Sequence, residues 1–173
     1  MKNKTCCFIG HRKIEITDEL KKEIYAFIEN LIVSKNVKNF LFGSKSDFND
    51  LCHNIVTKLK VKYPEIKRVG YTCKSESVIL EHEREKWEEI LSRVEKREVR
   101  LLGVEEEFDH KTKYVVGKAS YIKRNQAMID DSDFCLFYYD ENIEYNNSKS
   151  GTAIAFNYAK RKNKIIKNFY GQF

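Results

Sequence analysis

The sequence predicts an α/β domain: a doubly wound, mostly parallel sheet with helices on both faces. Short apolar runs of strand length alternate with longer amphipathic runs of helical period, the pattern of parallel strands joined by crossover helices. Several strand-like runs also end in a turn carrying glycine or serine, from which the next helix sets out.

The elements follow in order. Thr5–Ile9 is an apolar strand ending at Gly10. Asp18–Ser34 repeats Leu20, Ile24, Phe27, Ile28 and Leu31 at helical spacing. Thr17 suits its N-cap, and Asp18 and Glu19 suit the positive end of the helix dipole. Asn39–Phe42 is the second strand, and Asp47–Tyr63 a helix with Leu51, Ile55, Val56 and Leu59 on one face. That helix stops before Pro64, the one proline of the chain, because proline has no N–H with which to continue a helix. Lys67–Thr72 is a third strand. Ser77–Arg97 reads as a charged helix with Trp87, Ile90, Leu91 and Val94 as its apolar stripe, while residues 99–118 show no clear period. Ser120–Asp131 is helical and Asp133–Tyr139 is a strand. Ser150-Gly151-Thr152 then opens an alanine-rich helix, whose end carries Lys160-Arg161-Lys162-Asn163-Lys164. Cations there complement the negative end of the helix dipole. Lys164–Asn168 is the last strand.

At 173 residues, with 42% apolar and 34% charged content, the chain matches one soluble domain with a full core. No apolar stretch approaches the roughly 20 residues that cross a bilayer, and no secretory signal pattern is present. The expected compartment is the cytoplasm. The five cysteines include no Cys-x-x-Cys pair, so they read as small core hydrophobes rather than zinc ligands. Cys6 and Cys7, adjacent on a strand, point to opposite faces. The net charge of +6 is spread along the chain, and nucleic acid is the lesser expectation as a partner.

Chemistry is expected beyond the carboxyl ends of the strands, where open parallel sheets hold their ligands. Three turns fall there: Gly10-His11-Arg12, Gly43-Ser44-Lys45-Ser46 and Ser150-Gly151-Thr152. Glycine lets a backbone approach closely, and N–H groups at a helix start point toward an anion. Ser44, Ser150 and Thr152 add hydroxyls, and Arg12 offers a two-pronged phosphate contact. Singly, each turn is equally a cap or a bend. His82-Glu83-Arg84-Glu85-Lys86 lacks the second histidine of a zinc helix, and no Walker or Gly-x-Ser-x-Gly turn is present. Of Tyr138 and Tyr139, the one nearer the strand end could stack on a base.

Gly10-His11-Arg12, Arg124-Asn125, Asp130-x-x-Asp133 and Ser150-Gly151-Thr152, in that order, resemble the SLOG superfamily of Rossmann-like domains, named for the Smf/DprA and LOG proteins. Within it the chain is most similar to the uncharacterised YoqJ/YpsA-like branch of bacteria and phages. The resemblance implies one domain over 1–173, with residues from about 74 to 117 outside the matched pattern. It also implies a nucleotide-derived ligand (AMP-, NAD- or ADP-ribose-like) over Gly10, Gly43 and Gly151. A sensing role linked to phage defence and a homodimer are further implications. By the same resemblance Arg124 and Asn125 become site residues, although spacing alone reads them as an exposed polar pair. LOG-type phosphoribohydrolases carry a glutamate three residues after the Gly-Thr turn, and here Ala155 holds that place. Binding is therefore expected rather than turnover, and no metal is implied. The alternatives are an N-glycosidase with a relocated acid such as Asp47, and DprA-like binding of single-stranded nucleic acid.

Overall fold

The computed structural model describes residues 2–43, 46–73, 104–110, 118–142 and 150–171. Among these are strands β1 (Lys4–Gly10), β2 (Val37–Phe42), β3 (Lys67–Cys73), β4 (Glu106–His110), β5 (Phe134–Tyr138) and β6 (Ile165–Asn168). The helices are α1 (Asp18–Lys35), α2 (Asp47–Lys62), α3 (Lys118–Asp130) and α4 (Gly151–Arg161). The sheet order is β4-β3-β2-β1-β5-β6, and every neighbouring pair is parallel. The chain moves outward from β1 to β4, then returns to the other side of β1 for β5 and β6. Strand order thus reverses between β1 and β5.

Period-2 alternation divides the core between two faces. Cys6, Phe8, Phe40, Phe42 and Leu136 meet α1 and α2 through Leu20, Ile24, Ile28, Phe48 and Leu59. Cys7, Ile9, Leu41, Cys135 and Phe137 meet α3 and α4 through Met128, Ile129, Ala155, Phe156 and Ala159. The expected helices on both faces are present, and the adjacent cysteines do part to opposite faces. All five cysteines are buried and none forms a disulfide. Each large apolar side chain sealed this way contributes roughly 1.5–3 kcal/mol.

Local chemistry sets the helix limits. Thr17 Oγ1 accepts the Leu20 N–H at 3.1 Å, and Ser46 Oγ accepts the Asn49 N–H at 3.0 Å. Asn36 ends α1 in the left-handed conformation at φ 58°, which asparagine tolerates better than most residues. The helix expected at 77–97 lies outside the described residues. Within the aperiodic stretch, Glu106–His110 forms edge strand β4 beside β3. Its Glu-Glu-Phe-Asp-His sequence hides the strand from a propensity reading, yet charge is what keeps an edge from pairing with another chain. No helix among the described residues is long and apolar enough to cross a membrane.

A polar clip fixes the approach to β4. The Arg68 guanidinium and backbone N–H both bond the Glu105 carboxylate, and Lys60 Nζ lies 3.2 Å from the same group. Burial opposes the carboxylate charge, but the bonds from Arg68 and Lys60 prevail and hold Glu105 at about 2, below the ordinary 4.5. A depressed carboxyl pKa stabilises the fold above the unfolded value and loses that contribution as pH falls through the folded one. Stability in urea should therefore drop for the wild type between about pH 4.5 and about pH 2, and the Glu105→Gln variant should lack this component.

Candidate functional site

β1 is followed by α1 on one face of the sheet and β5 by α4 on the other, so strand order reverses between them, the usual ligand position in such folds. Gly10 and Tyr138 are register partners at the end of this strand pair. The β1 loop continues through His11 and Arg12 toward α1. The β5 loop continues through Tyr139 and Asp140 toward α4.

The three glycines expected to face a ligand differ in what occupies their surroundings. A methyl group on Gly10 would lie 2.6 Å from Phe48 Cβ, so Gly10 exists to admit the first turn of α2. One on Gly43 would lie 2.6 Å from Met128 Sδ and 2.8 Å from Arg124 Cδ. The Gly43 N–H is also taken by Asn49 Oδ1 at 3.2 Å, and its carbonyl by Arg124 Nη1 at 3.0 Å. At Gly151 nothing lies within 4 Å of an added methyl. Protein side chains thus stand where a Cβ would lie at Gly10 and Gly43, and Gly151 differs from both.

Gly151 is the first residue of α4. Ser150 caps the helix by accepting the Ala153 N–H at 3.0 Å, and Thr152 is buried. As at any helix start, the Gly151 and Thr152 N–H groups have no helical carbonyl to bond. Arg12, on the neighbouring loop, is exposed. Ser44 lies outside the described residues.

Arg124 and Asn125 are not the exposed pair that spacing suggests. Arg124 is 1% exposed and Asn125 8%. Arg124 Nε donates to Asn125 Oδ1 at 3.0 Å, so the two hold each other while Arg124 braces the end of β2 through Gly43. Burying a guanidinium is costly without such hydrogen bonds.

His11 is also buried, 3% exposed. Its N–H donates to the Tyr138 carbonyl at 3.3 Å, and its Nε2 accepts the Asp140 N–H at 2.9 Å. Burial, only partly offset by the Asp140 carboxylate, lowers its pKa below the ordinary 6.5. Asn168 completes this end of the sheet: its side chain bonds both the N–H and the carbonyl of Tyr139 and accepts the Tyr170 N–H. Asp47, the alternative acid, is a fastener. Its Oδ2 accepts the Ile14 N–H at 3.2 Å, and its own N–H donates to the Arg12 carbonyl at 2.8 Å.

Comparison with known proteins now places the chain. A model described as the YspA SLOG family (YpsA) matches residues 7–170. The chain belongs to this SLOG family. It is 30% identical over 151 residues to the uncharacterised SPbeta prophage-derived protein YoqJ of Bacillus subtilis (strain 168), covering 83% of this chain and 81% of that protein. A solved structure of DNA processing protein A from Helicobacter pylori, described for its single-stranded DNA binding mode, superposes with a TM-score of 0.55 at 12% identity. It covers 94% of this chain, which spans 63% of that one; at such identity the likeness shows a shared fold.

In this SLOG domain Ala155, at the place of the LOG-type glutamate, is 1% exposed and packed into the core. Among the described residues, no group of three or more His, Cys, Asp or Glu could hold a metal ion. Sequence reading missed Phe48, Asn49, Asp140 and Asn168 as partners of the site; Phe48, Asp140 and Asn168 act on residues remote in sequence, and Asn49 reaches back six residues to Gly43. It also missed that the basic run is interleaved with rings: Lys160 lies over Phe156, and Arg161 and Lys162 over Tyr158. The Phe156–Lys160 spacing of one helical turn was the available signal.

The glycines yield a stability test. Gly10→Ala and Gly43→Ala should each cost about 1–3 kcal/mol through overpacking, whereas Gly151→Ala should leave chemical denaturation within about 0.5 kcal/mol of wild type.

Proposed function

We propose that this SLOG protein binds a small, phosphate-bearing, nucleotide-derived ligand in the crevice between β1 and β5. The observation that carries this reading is the Gly151 turn. It opens α4, the helix that follows β5 at the reversal of strand order, and among the three turn glycines it is the one with free space at its α-carbon. The unbonded amides of the first α4 turn receive the phosphate. Arg12, exposed on the adjoining loop, supplies the countercharge. Tyr138, half-buried and edge-on to Tyr170 at 5.6 Å, offers an aromatic wall to a base or ribose. The role is binding or sensing, because the buried Ala155 methyl can neither activate water nor stabilise an oxocarbenium ion, and Asp47 is engaged in holding the β1 loop.

The test is a thermal-shift and calorimetric screen against AMP, NAD and ADP-ribose. A ligand present at about 100 times its dissociation constant should stabilise the fold by roughly 2.7 kcal/mol. Arg12→Ala should lose on the order of 2–3 kcal/mol of binding energy. Gly151→Val, which leaves the core untouched, should weaken binding at unchanged fold stability. Failure of all three compounds to bind would remove the reading.

One observation favours a second reading, binding of single-stranded nucleic acid. From Gly151 to the end, the chain carries Lys160, Arg161, Lys162, Lys164 and Lys167 and no carboxylate. Lys160, Arg161 and Lys162 are exposed at the end of α4 remote from the crevice, beside the rings of Phe156 and Tyr158. On this reading oligonucleotide affinity falls steeply with salt, with a log–log slope of about −0.7 per phosphate contact. Replacing the three cations with serine should flatten that slope and leave small-molecule binding intact.

A further inference from the structure

The His11–Asp140 contact joins the two loops that bound the crevice, and only one state of the imidazole can make it. Nε2 accepts the Asp140 N–H at 2.9 Å, so the ring is neutral and carries its proton on Nδ1. A ring protonated at both nitrogens has no acceptor left, and two N–H groups would then face each other across this distance. We propose that His11 is a positioning residue for the crevice: a neutral acceptor that ties the β5 loop to the β1 loop and lets it go when the ring takes a second proton.

The surroundings define both the clasp and its release. Among the described residues, the titratable groups on the β5 side are the Tyr138 and Tyr139 phenols and the Asp140 and Glu141 carboxylates; the Tyr139 ring centroid lies 5.9 Å from that of His11. On the histidine's own loop stand Arg12 and Glu15, and Asp47 of α2 is bonded to that loop. The Asp140 carboxylate accepts the Asn142 N–H at 2.9 Å and a hydrogen bond from the Tyr170 hydroxyl. A proton arriving on Nε2 gives that carboxylate a cationic rival partner and removes the acceptor of the Asp140 amide. One event therefore disturbs the whole Asp140 node, from which the chain continues to the Gly151 turn. Burial opposes the charged ring more than Asp140 favours it, so the clasp is closed at neutral pH and opens in acid.

The consequence for ligand affinity rests on the crevice reading above; the clasp does not. Isotope-labelled wild type and His11→Gln, whose side-chain carbonyl supplies an acceptor that does not titrate, are followed by NMR from about pH 8 to about pH 5. In the wild type the Asp140 amide should lose its exchange protection and shift with the same midpoint as the His11 ring protons, and that midpoint should lie below the ordinary 6.5. In His11→Gln the amide should stay protected throughout. An Asp140 amide unmoved by the ring titration would overturn the proposal, as would the same acid transition in His11→Gln. Should His11→Gln not fold, coincidence or non-coincidence of the two wild-type midpoints decides. ADP-ribose serves as the binding probe because its diphosphate keeps a constant charge over this range. Its affinity should fall up to about tenfold per pH unit below the His11 midpoint in the wild type and stay flat in His11→Gln. An absence of ADP-ribose binding at every pH counts against the crevice reading and leaves the Asp140 readout in force.

Discussion

Strand β1 has neither a wet face nor an open edge, and the rest of the molecule is arranged around that constraint. β2 and β5 pair with it on either side, and its residues from Cys6 to Gly10 are buried. A strand so enclosed can carry no charge in its interior, so its chemistry is displaced to the residues that follow Gly10. Helices lie on both faces of the sheet, so those residues emerge at the reversal of strand order between β1 and β5.

The site end of the sheet separates structural polar groups from exposed ones. Buried and half-buried polar side chains there bond to backbone: His11 to Asp140, Asn49 and Arg124 to Gly43, and the half-buried Asn168 to Tyr139. These neutral or delocalised donors and acceptors satisfy the strand ends without placing a compact charge in the core. Arg12 and the first turn of α4 remain outside this lattice. Binding energy from an anion can then be gained without first breaking the contacts that hold the loops.

Much of this was legible in sequence because local and global requirements agree. Thr17, Ser46 and Ser150 cap helices where the apolar period begins, and Pro64 follows the end of α2. The departures have specific causes. At Gly10 and Gly43 the sequence shows only a glycine, and cannot tell that Phe48 and Arg124 stand where a Cβ would lie. Arg124 and Asn125 read as surface residues because their burial is created by Gly43, 81 positions away from Arg124. Strand β4 was hidden by its acidic composition, which suits an edge and contradicts strand propensity. The reversal of strand order was therefore foreseeable, and the bracing around it was not.

The cysteines give the fold a built-in chronometer. All five are buried and outside any disulfide, and burial raises the Cys6 and Cys52 thiols well above their ordinary range. A thiol kept protonated and away from solvent does not react with alkylating reagents. Because Cys6 and Cys7 sit on opposite faces of the central strand, both halves of the core report through neighbouring atoms. Alkylation of the native protein would then record when each face opens, so that the chain carries its own probe of local breathing.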